Sequence, residues 1–394
     1  MRKIAVVTVL FFFFEAAAAV SNPVKTIVFP LEDESQAESL DWLSEGIALS
    51  ISEQIADGGV DAMSRQQRMN LVESLDLPPG ALLSRASMIR VAEKASADWI
   101  VLGAFTGRES SLRITVRVMD VKLMKLGGEM SANGPLSALP QMENELSWLI
   151  LNNSGLGKTL SRAAFAERTR VVPNESYSLF IQSLGAQSEK EQLRLLLKAV
   201  AGYRHFPQAQ LEIGRRYFRT GDCTRALTHL NLGGGGAVAI PEDEFMRGSC
   251  SLQANLPAQA VQAYSRIPPS SRSLEVLNNL GVAYLRTGDL TQALGTLLEA
   301  RNLSRTDSTV ALNLAIVRHL QGDNAAALAG LEEAVKVNPA NGMLHFLLSV
   351  VLQAQGDHER AEAAAGRARG LETNVDRLRE EKPTTWSRTL SASR

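Results

Sequence analysis

The sequence predicts a multi-domain α+β chain: a small mixed-sheet α/β domain followed by an all-α solenoid of helical hairpins. Three observations carry this. The pair Gly-Asp returns as Gly288-Asp289, Gly322-Asp323 and Gly356-Asp357, at a spacing of about 34 residues. Counted from those glycines, Ala293, Ala327 and Ala361 fall in register, as do Ala300, Ala334 and Ala368. Before residue 153 the pattern is different, with short apolar runs alternating with amphipathic stretches, as expected of strands and helices in one α/β layer.

The repeats set the logic of the larger part. One helical hairpin cannot hide its own apolar face, so each unit must stack on the next. Leu280, Leu314 and Leu348 each precede a small residue, Gly281, Ala315 and Ser349, and small residues at fixed places let helices approach closely. Earlier units are less regular. Gly214, Tyr217, Gly221-Asp222, Ala226 and Leu230 match one register, and Gly248, Asn255, Ala260 and Tyr264 another, with Asn255 at the turn. A degenerate first hairpin is expected between Tyr177 and Ala201. The glycines 233–236 and Pro268-Pro269 are connectors, since neither fits a helix interior.

These residues resemble the tetratricopeptide repeat family, whose first helix carries the large-small pair Leu280-Gly281 and Tyr284 and whose second carries Ala293 and Ala300. Pro339 closes one unit. Arg305 and Thr373 stand where other units would carry that Pro, and Arg318 replaces the Tyr. The resemblance implies a concave surface, lined by the first helix of each hairpin, that receives a protein or peptide partner. The inward positions are Leu211, Arg215 and Phe218, then Phe245 and Ser249. Asn278, Val282 and Leu285 follow, then Leu312, Ile316 and His319, and last Phe346 and Val350. Arg219 and Arg286 join Arg215 at the edges, and Asn279 and Asn313 share one repeat position. Such a groove suits an extended or helical peptide with apolar side chains and some negative charge. Alternatively the asparagines bond only neighbouring helices and the chain's own tail fills the groove; the partner groove is the preferred reading.

Composition bounds the rest. With 41 Lys+Arg against 42 Asp+Glu the formal charge is −1, so no basic field exists to gather nucleic acid. Residues 1–19 read as a secretory signal peptide: Arg2 and Lys3, an apolar run from Ile4 to Phe14, then Ala16 to Ala19. The run is too short to span a bilayer, Glu15 interrupts it, and no Cys follows to take a lipid. Export with cleavage is expected, with no transmembrane segment afterwards; retention as an anchor is the alternative.

From 24 to 153 the α/β domain begins with the strand Thr26 to Phe29, stopped by Pro30. Leu40, Leu43, Ile47, Ile51 and Ile55 line one helix face. Gly58-Gly59, a short strand near Val60, a helix from about Gln67 to Leu75 and a loop at residues 77–80 follow. Ser84 caps the next helix, which runs to Ala95. Trp99 to Phe105 is a strand, and Leu112, Ile114, Val116 and Val118 alternate with Arg113, Thr115 and Arg117 in the half-exposed strand of a hairpin. A third strand follows Gly127-Gly128, and a helix from about Leu139 to Leu151 closes the domain. The opening KTIVFP, the helix LDWLSEGIALSISEQI, Arg65, ASADWIVLGAF and LRITVRVMDV resemble the TolB-like amino-terminal domain found in FlgO-type and CsgG-type envelope proteins. That resemblance implies the cell envelope as the setting and association with other proteins, and it brings no catalytic residue.

Chemistry is sparse. The histidines are His205, His229, His319, His345 and His358, none with zinc-ligand spacing; no catalytic, cofactor or metal residue is assigned. Glu32, Asp33 and Glu34 follow the first strand, where α/β sheets place ligands, but a solvated acidic loop is the preferred reading. GLGKT at residues 155–159 lacks the first Gly of a phosphate loop, since Asn152 stands there, so residues 154–175 are a linker. Cys223 and Cys250 lie in neighbouring hairpins, so a disulfide is open to them in an oxidising compartment; two buried free thiols are preferred, because Cys packs as a small apolar residue. Residues 176–371 are the repeats, and 372–394 a polar tail with a capping helix and then disorder. The expected function is a non-enzymatic envelope adaptor binding a protein or peptide through its groove. The alternatives are a subunit of an envelope or secretion assembly oligomerising through its α/β domain, and a ligand-sensing or hydrolytic α/β module.

Overall fold

The computed structural model describes residues 25–35, 37–78, 82–153, 161–167, 171–234 and 240–391. The expected signal peptide and the GLGKT stretch lie outside them. The chain forms two compact units, one ending at Gly185 and one beginning at Ala186.

The first unit is built on a mixed sheet. Strand β1 (Lys25–Val28) leads through β2 (Glu32–Asp33) to helix α1 (Leu43–Asp57), β3 (Asp61–Ala62), α2 (Arg65–Glu73) and α3 (Arg85–Lys94). The long hairpin β4 (Trp99–Arg108) and β5 (Ser111–Asp120), with β6 (Lys125–Leu126) and β7 (Met130–Gly134), completes the sheet before α4 (Leu139–Asn153) and the short α5 (Arg162–Ala166). Strands β1, β3 and β4 are parallel, and β5 runs antiparallel to β4, β6 and β7. The alternation in β5 appears in the fold: Leu112, Ile114, Val116 and Val118 are buried, while Arg113 and Arg117 reach Glu129 at 3.7 and 3.0 Å. Glu32 and Asp33 are more than a loop, since they pair in parallel with Ala104 and Phe105.

Capping follows the side chains present. Ser64 starts α2 with a reciprocal bond to Gln67, and the Ser84 hydroxyl accepts from the Ser87 amide, each satisfying a helix donor that has no partner within the helix. Arg68, 4 % exposed, donates to the Val28 carbonyl at 2.7 Å and pairs with Glu45. Arg65 joins the same Glu45 at 3.3 Å.

The boundary between the units cuts the hairpin expected between Tyr177 and Ala201. Helix α6 (Asn174–Gly185) belongs to the first unit: the Tyr177 hydroxyl donates to the Gly46 carbonyl at 2.8 Å, and its ring meets Trp42 edge-on at 6.0 Å. Its apolar stripe is taken up by α1.

The second unit is a run of helices: α7 (Glu189–Gly202), then the pairs α8 (Pro207–Arg219) with α9 (Cys223–Gly233), α10 (Pro241–Gln253) with α11 (Pro257–Ser265), α12 (Leu274–Thr287) with α13 (Leu290–Leu303), α14 (Ser308–Leu320) with α15 (Asn324–Val337), and α16 (Gly342–Ala354) with α17 (His358–Gly370). The Gly-Asp pair has a two-part job. Gly288, Gly322 and Gly356 take φ of 89°, 83° and 83°, a left-handed conformation that β-carbon sterics penalise. The aspartates that follow cap the next helix, accepting from the Gln292, Ala326 and Arg360 amides at 3.0, 3.1 and 3.2 Å. The alanines in register are all buried. A β-carbon at Gly281 would come within 2.5 Å of Leu297, which is why the large-small pair ends in so small a residue.

Two expectations are corrected here. Cys223 and Cys250 form a disulfide, since the packing of α9 on α10 brings their Cα atoms to 4.9 Å, a separation that the bond spans. The tail beyond residue 372 has a defined path: helix α18 (Val375–Glu380), a 3-10 turn at Pro383–Trp386, and an extended stretch through residue 391.

Candidate functional site

The expected groove residues divide into two sets with different fates. On α8 and α10 they hold the array together. Arg215 grips Asp243 through two bonds, 2.7 and 2.9 Å, and Glu212 through a third at 2.6 Å. Burial works against the charge on Arg215, but the Asp243 and Glu212 carboxylates outweigh it and hold the guanidinium pKa above its ordinary value. Arg219 is exposed, 3.5 Å from Glu189. Phe245 packs edge-on against Tyr264 at 6.0 Å, with Phe218 against the same cluster. Ser249 shares a 2.9 Å hydrogen bond with the Tyr264 hydroxyl, whose pKa burial pushes up to about 12. Leu211 is half-buried.

On α12, α14 and α16 the groove is occupied, and the occupant is the chain's own tail. Trp386, 5 % exposed, stands perpendicular to Phe346 at 5.0 Å, and its indole N–H donates to the Leu378 carbonyl at 2.9 Å. From there the backbone runs extended past three asparagines. Asn313 donates through Nδ2 to the Arg388 carbonyl and accepts the Arg388 amide at Oδ1, at 2.8 and 2.9 Å. Asn279 treats Leu390 the same way, at 2.8 Å to the carbonyl and 2.7 Å from the amide. Asn278 adds a 3.1 Å bond to the Arg388 carbonyl and accepts from Asn313 at 2.8 Å. One side-chain amide paired with both main-chain groups of a single residue copies the pairing of a β-ladder, and the partners sit two residues apart, on the same side of an extended chain.

The tail-filled reading of the sequence is therefore the one seen over α12–α16, and the recurring asparagines bond the tail as well as each other. Val282, Leu285, Leu312 and Ile316 are 0–2 % exposed with the tail in place and form the apolar floor. Val350 packs at the edge of the cluster that includes Trp386. His319 turns away to Asn324 at 2.7 Å.

Arg286 is the charged element of this site. It donates to the Ser387 hydroxyl and the Leu252 carbonyl, both at 3.2 Å, and burial together with the nearby Arg388 guanidinium lowers its pKa from the ordinary arginine value. Arg388 itself is exposed and spends its donors on the carbonyls of Thr385, Trp386 and Ser387 and on the Met343 sulfur. Among the described residues, neither arginine forms a salt bridge. Trp386, Ser387, Arg388 and Leu390 were absent from the expected groove set; an indole and a leucine four residues apart in an otherwise polar tail are the signal that points to them.

Nothing else in the described residues competes as a site. No group of three or more His, Cys, Asp or Glu is placed to hold a metal ion, and no helix is long and apolar enough to cross a membrane. An open cavity of about 360 Å³ beside β5, β6 and β7 is lined by Trp99, Asp120, Leu123, Lys125, Glu129 and Asn153.

Comparison with known proteins agrees with the repeat geometry. Tetratricopeptide-repeat family models match residues 274–299 and 313–371. No curated protein sequence matches the chain. Solved structures with a similar course include MamA MSR-1, 16% identical with a TM-score of 0.39 over 42% of this chain and 96% of that one. A second MamA structure is 18% identical with a TM-score of 0.38, over 45% and 96%. YrrB, described as a TPR protein with an unusual peptide-binding site, is 12% identical with a TM-score of 0.39, over 47% and 98%. The helical pairs of residues 274–299 and 313–371 are tetratricopeptide repeats.

Proposed function

We propose that the protein is a non-enzymatic adaptor of the cell envelope that holds an extended segment of a partner protein against its α12–α16 face. The observation that carries this reading is the paired main-chain bonding by Asn279 and Asn313. Side chains that bond backbone amides and carbonyls hold a strand of almost any sequence, with the adjoining apolar floor selecting side chains, as in other modes of strand recognition. Tetratricopeptide arrays present such surfaces to proteins. Export is supported by the Cys223–Cys250 disulfide, a bond that persists in oxidising compartments, and by the Arg2-Lys3, apolar and alanine sequence at the amino terminus. The TolB-like character of residues 24–153 supports the same setting and an association with other envelope proteins.

The test is capture from envelope extracts with the full chain and with an Asn279→Ala, Asn313→Ala variant. The expected outcome is a protein bound by the first and lost by the second, cross-linked to α12 or α14. A variant of unchanged circular dichroism that keeps every bound protein would overturn the groove as the binding surface.

A further inference from the structure

We propose that residues 386–390 occupy the site of a foreign ligand, and that this ligand is an extended peptide with an aromatic residue, an acidic residue two positions later and a leucine two beyond that. This rests on the adaptor reading and specifies its partner. The tail is held by features that do not depend on its being the tail. Asn279 and Asn313 bond only main-chain atoms of Leu390 and Arg388, so another extended segment satisfies them equally. The side-chain specificity lies in the Phe346 ring that meets Trp386 at a right angle and in the apolar cluster against which Leu390 packs.

At the centre the tail is a mismatched occupant. Arg286, half-buried, donates to the Ser387 hydroxyl at 3.2 Å, which sets a cation beside the residue next to Arg388, and no described carboxylate pairs with either arginine; burial and the nearby Arg388 guanidinium both act against the charge on Arg286. Two like charges in a partly desolvated site repel, and an acid at the Arg388 position would convert the repulsion to attraction. A foreign segment with that acid has an advantage over the tail, while the tail has the advantage of being tethered at high effective concentration. The groove is thus closed to weak ligands and open to those with the matching charge.

The experiment uses labelled synthetic peptides and the full chain. One peptide spans residues 383–391; the second is the same with Arg388→Glu. An opened chain carries Arg388→Pro and Leu390→Pro, which remove the two amides donated to Asn313 and Asn279 while leaving Trp386 in place. Ser387, at φ −59° and ψ 145°, already has the conformation a following proline requires. Trp386→Ala provides a second opened chain should the prolines disturb folding. By fluorescence anisotropy, the peptide of residues 383–391 should bind an opened chain about tenfold or more tightly than wild type, and the Arg388→Glu peptide about tenfold more tightly again. Arg286→Gln in the opened chain should abolish the preference between peptides. Binding by neither opened chain, equal binding by wild type and opened chains, or no preference for the acidic peptide would overturn the proposal. A wild-type dimer that both opened chains lose would make a second copy's tail the occupant and likewise overturn it. Peptide binding with no captured envelope protein would leave this inference standing and sink the adaptor reading; capture that the Asn279→Ala, Asn313→Ala variant loses, with no peptide binding, would do the reverse.

Discussion

The two halves of the helical array are built from the same hairpin and secured in opposite ways. From α12 to α17 each unit repeats the left-handed glycine, the aspartate cap and the buried alanines, and a single apolar cluster runs through all three pairs. The α8–α9 turn keeps the same device, with Gly221 at φ 79° and Asp222 accepting from the Arg225 amide at 2.9 Å, and the regularity breaks at α10–α11. Asn255 replaces the turn glycine at φ 58°, and Leu256 stands at the cap position without a side-chain bond. Here the array is held by a disulfide, by the ion pair of Arg215 with Asp243, and by Arg247 donating to the Leu230 carbonyl at 2.7 Å. Where apolar packing between regular units suffices, the concave face carries no ion pair among the described residues and holds the tail instead. On α8 the same positions carry charges that bind a neighbouring helix, which is why Arg215 braces α10 through Asp243 while Asn313 holds the tail.

The sharpest way to break this contrast is to remove the covalent brace. The bridge closes 27 residues of sequence separation, and the chain-entropy model gives about 3.5 kcal/mol for a loop of that size. Cys223→Ala with Cys250→Ala should lower unfolding stability by that order, with hydrogen-exchange protection lost first across α8–α11 and retained across α12–α17. Equal loss in both halves would show that the array is one cooperative block and that the contrast between its halves is superficial. Thiol titration of the purified native protein should find neither cysteine reactive.

Turn chemistry offers a second, smaller test. Gly322→Val places a β-branched residue at φ 83°, and such strain costs about 1 to 3 kcal/mol. At Asn255, with φ 58°, the native residue already tolerates the left-handed region, so Asn255→Gly should change the melting temperature little. Comparable losses from both substitutions would contradict the register that aligns Asn255 with Gly322.

How much of this was legible beforehand depends on what each feature needs. The Gly-Asp interval sufficed for the hairpins, since one residue must reach positive φ and the next must cap; few other pairs do both. The alternation of Leu112 to Val118 sufficed for a half-exposed strand. The disulfide was not legible, because two cysteines in adjacent hairpins pack equally well as thiols and only the approach of α9 to α10 separates the cases. Whether Ile316 and Val282 meet a partner or the chain's own tail was not legible, because their place on the first helix is the same whether that face is open or covered. The path of the tail was hidden for a related reason. Asparagines that bond backbone place no demand on the residues opposite them, so Ser387, Arg388 and Thr389 carry no pattern that a sequence could display.

The smallest effect tests whether the irregular half is deficient in a feature the regular half possesses. At the start of α11, Leu256 has φ −113° and ψ 64°, close in ψ to the capping aspartates, with Asp289 at 79° and Asp323 at 65°. Its side chain is 40 % exposed, so replacing it sacrifices little apolar burial. Leu256→Asp places a carboxylate where the Gln259 amide, third in the helix, can donate to it, as Gln292 and Ala326 do to their aspartates. A cap of this kind contributes about 1 kcal/mol, and the negative charge adds a favourable interaction with the helix dipole. The variant should therefore be more stable than the natural chain by about 0.5 to 1 kcal/mol in urea unfolding, with the gain fading as pH falls and the new carboxylate protonates. Pro257 at the first helical position already presets the backbone there, so a gain near zero would mean that proline alone completes this start, and that α11 lacks nothing the regular repeats have.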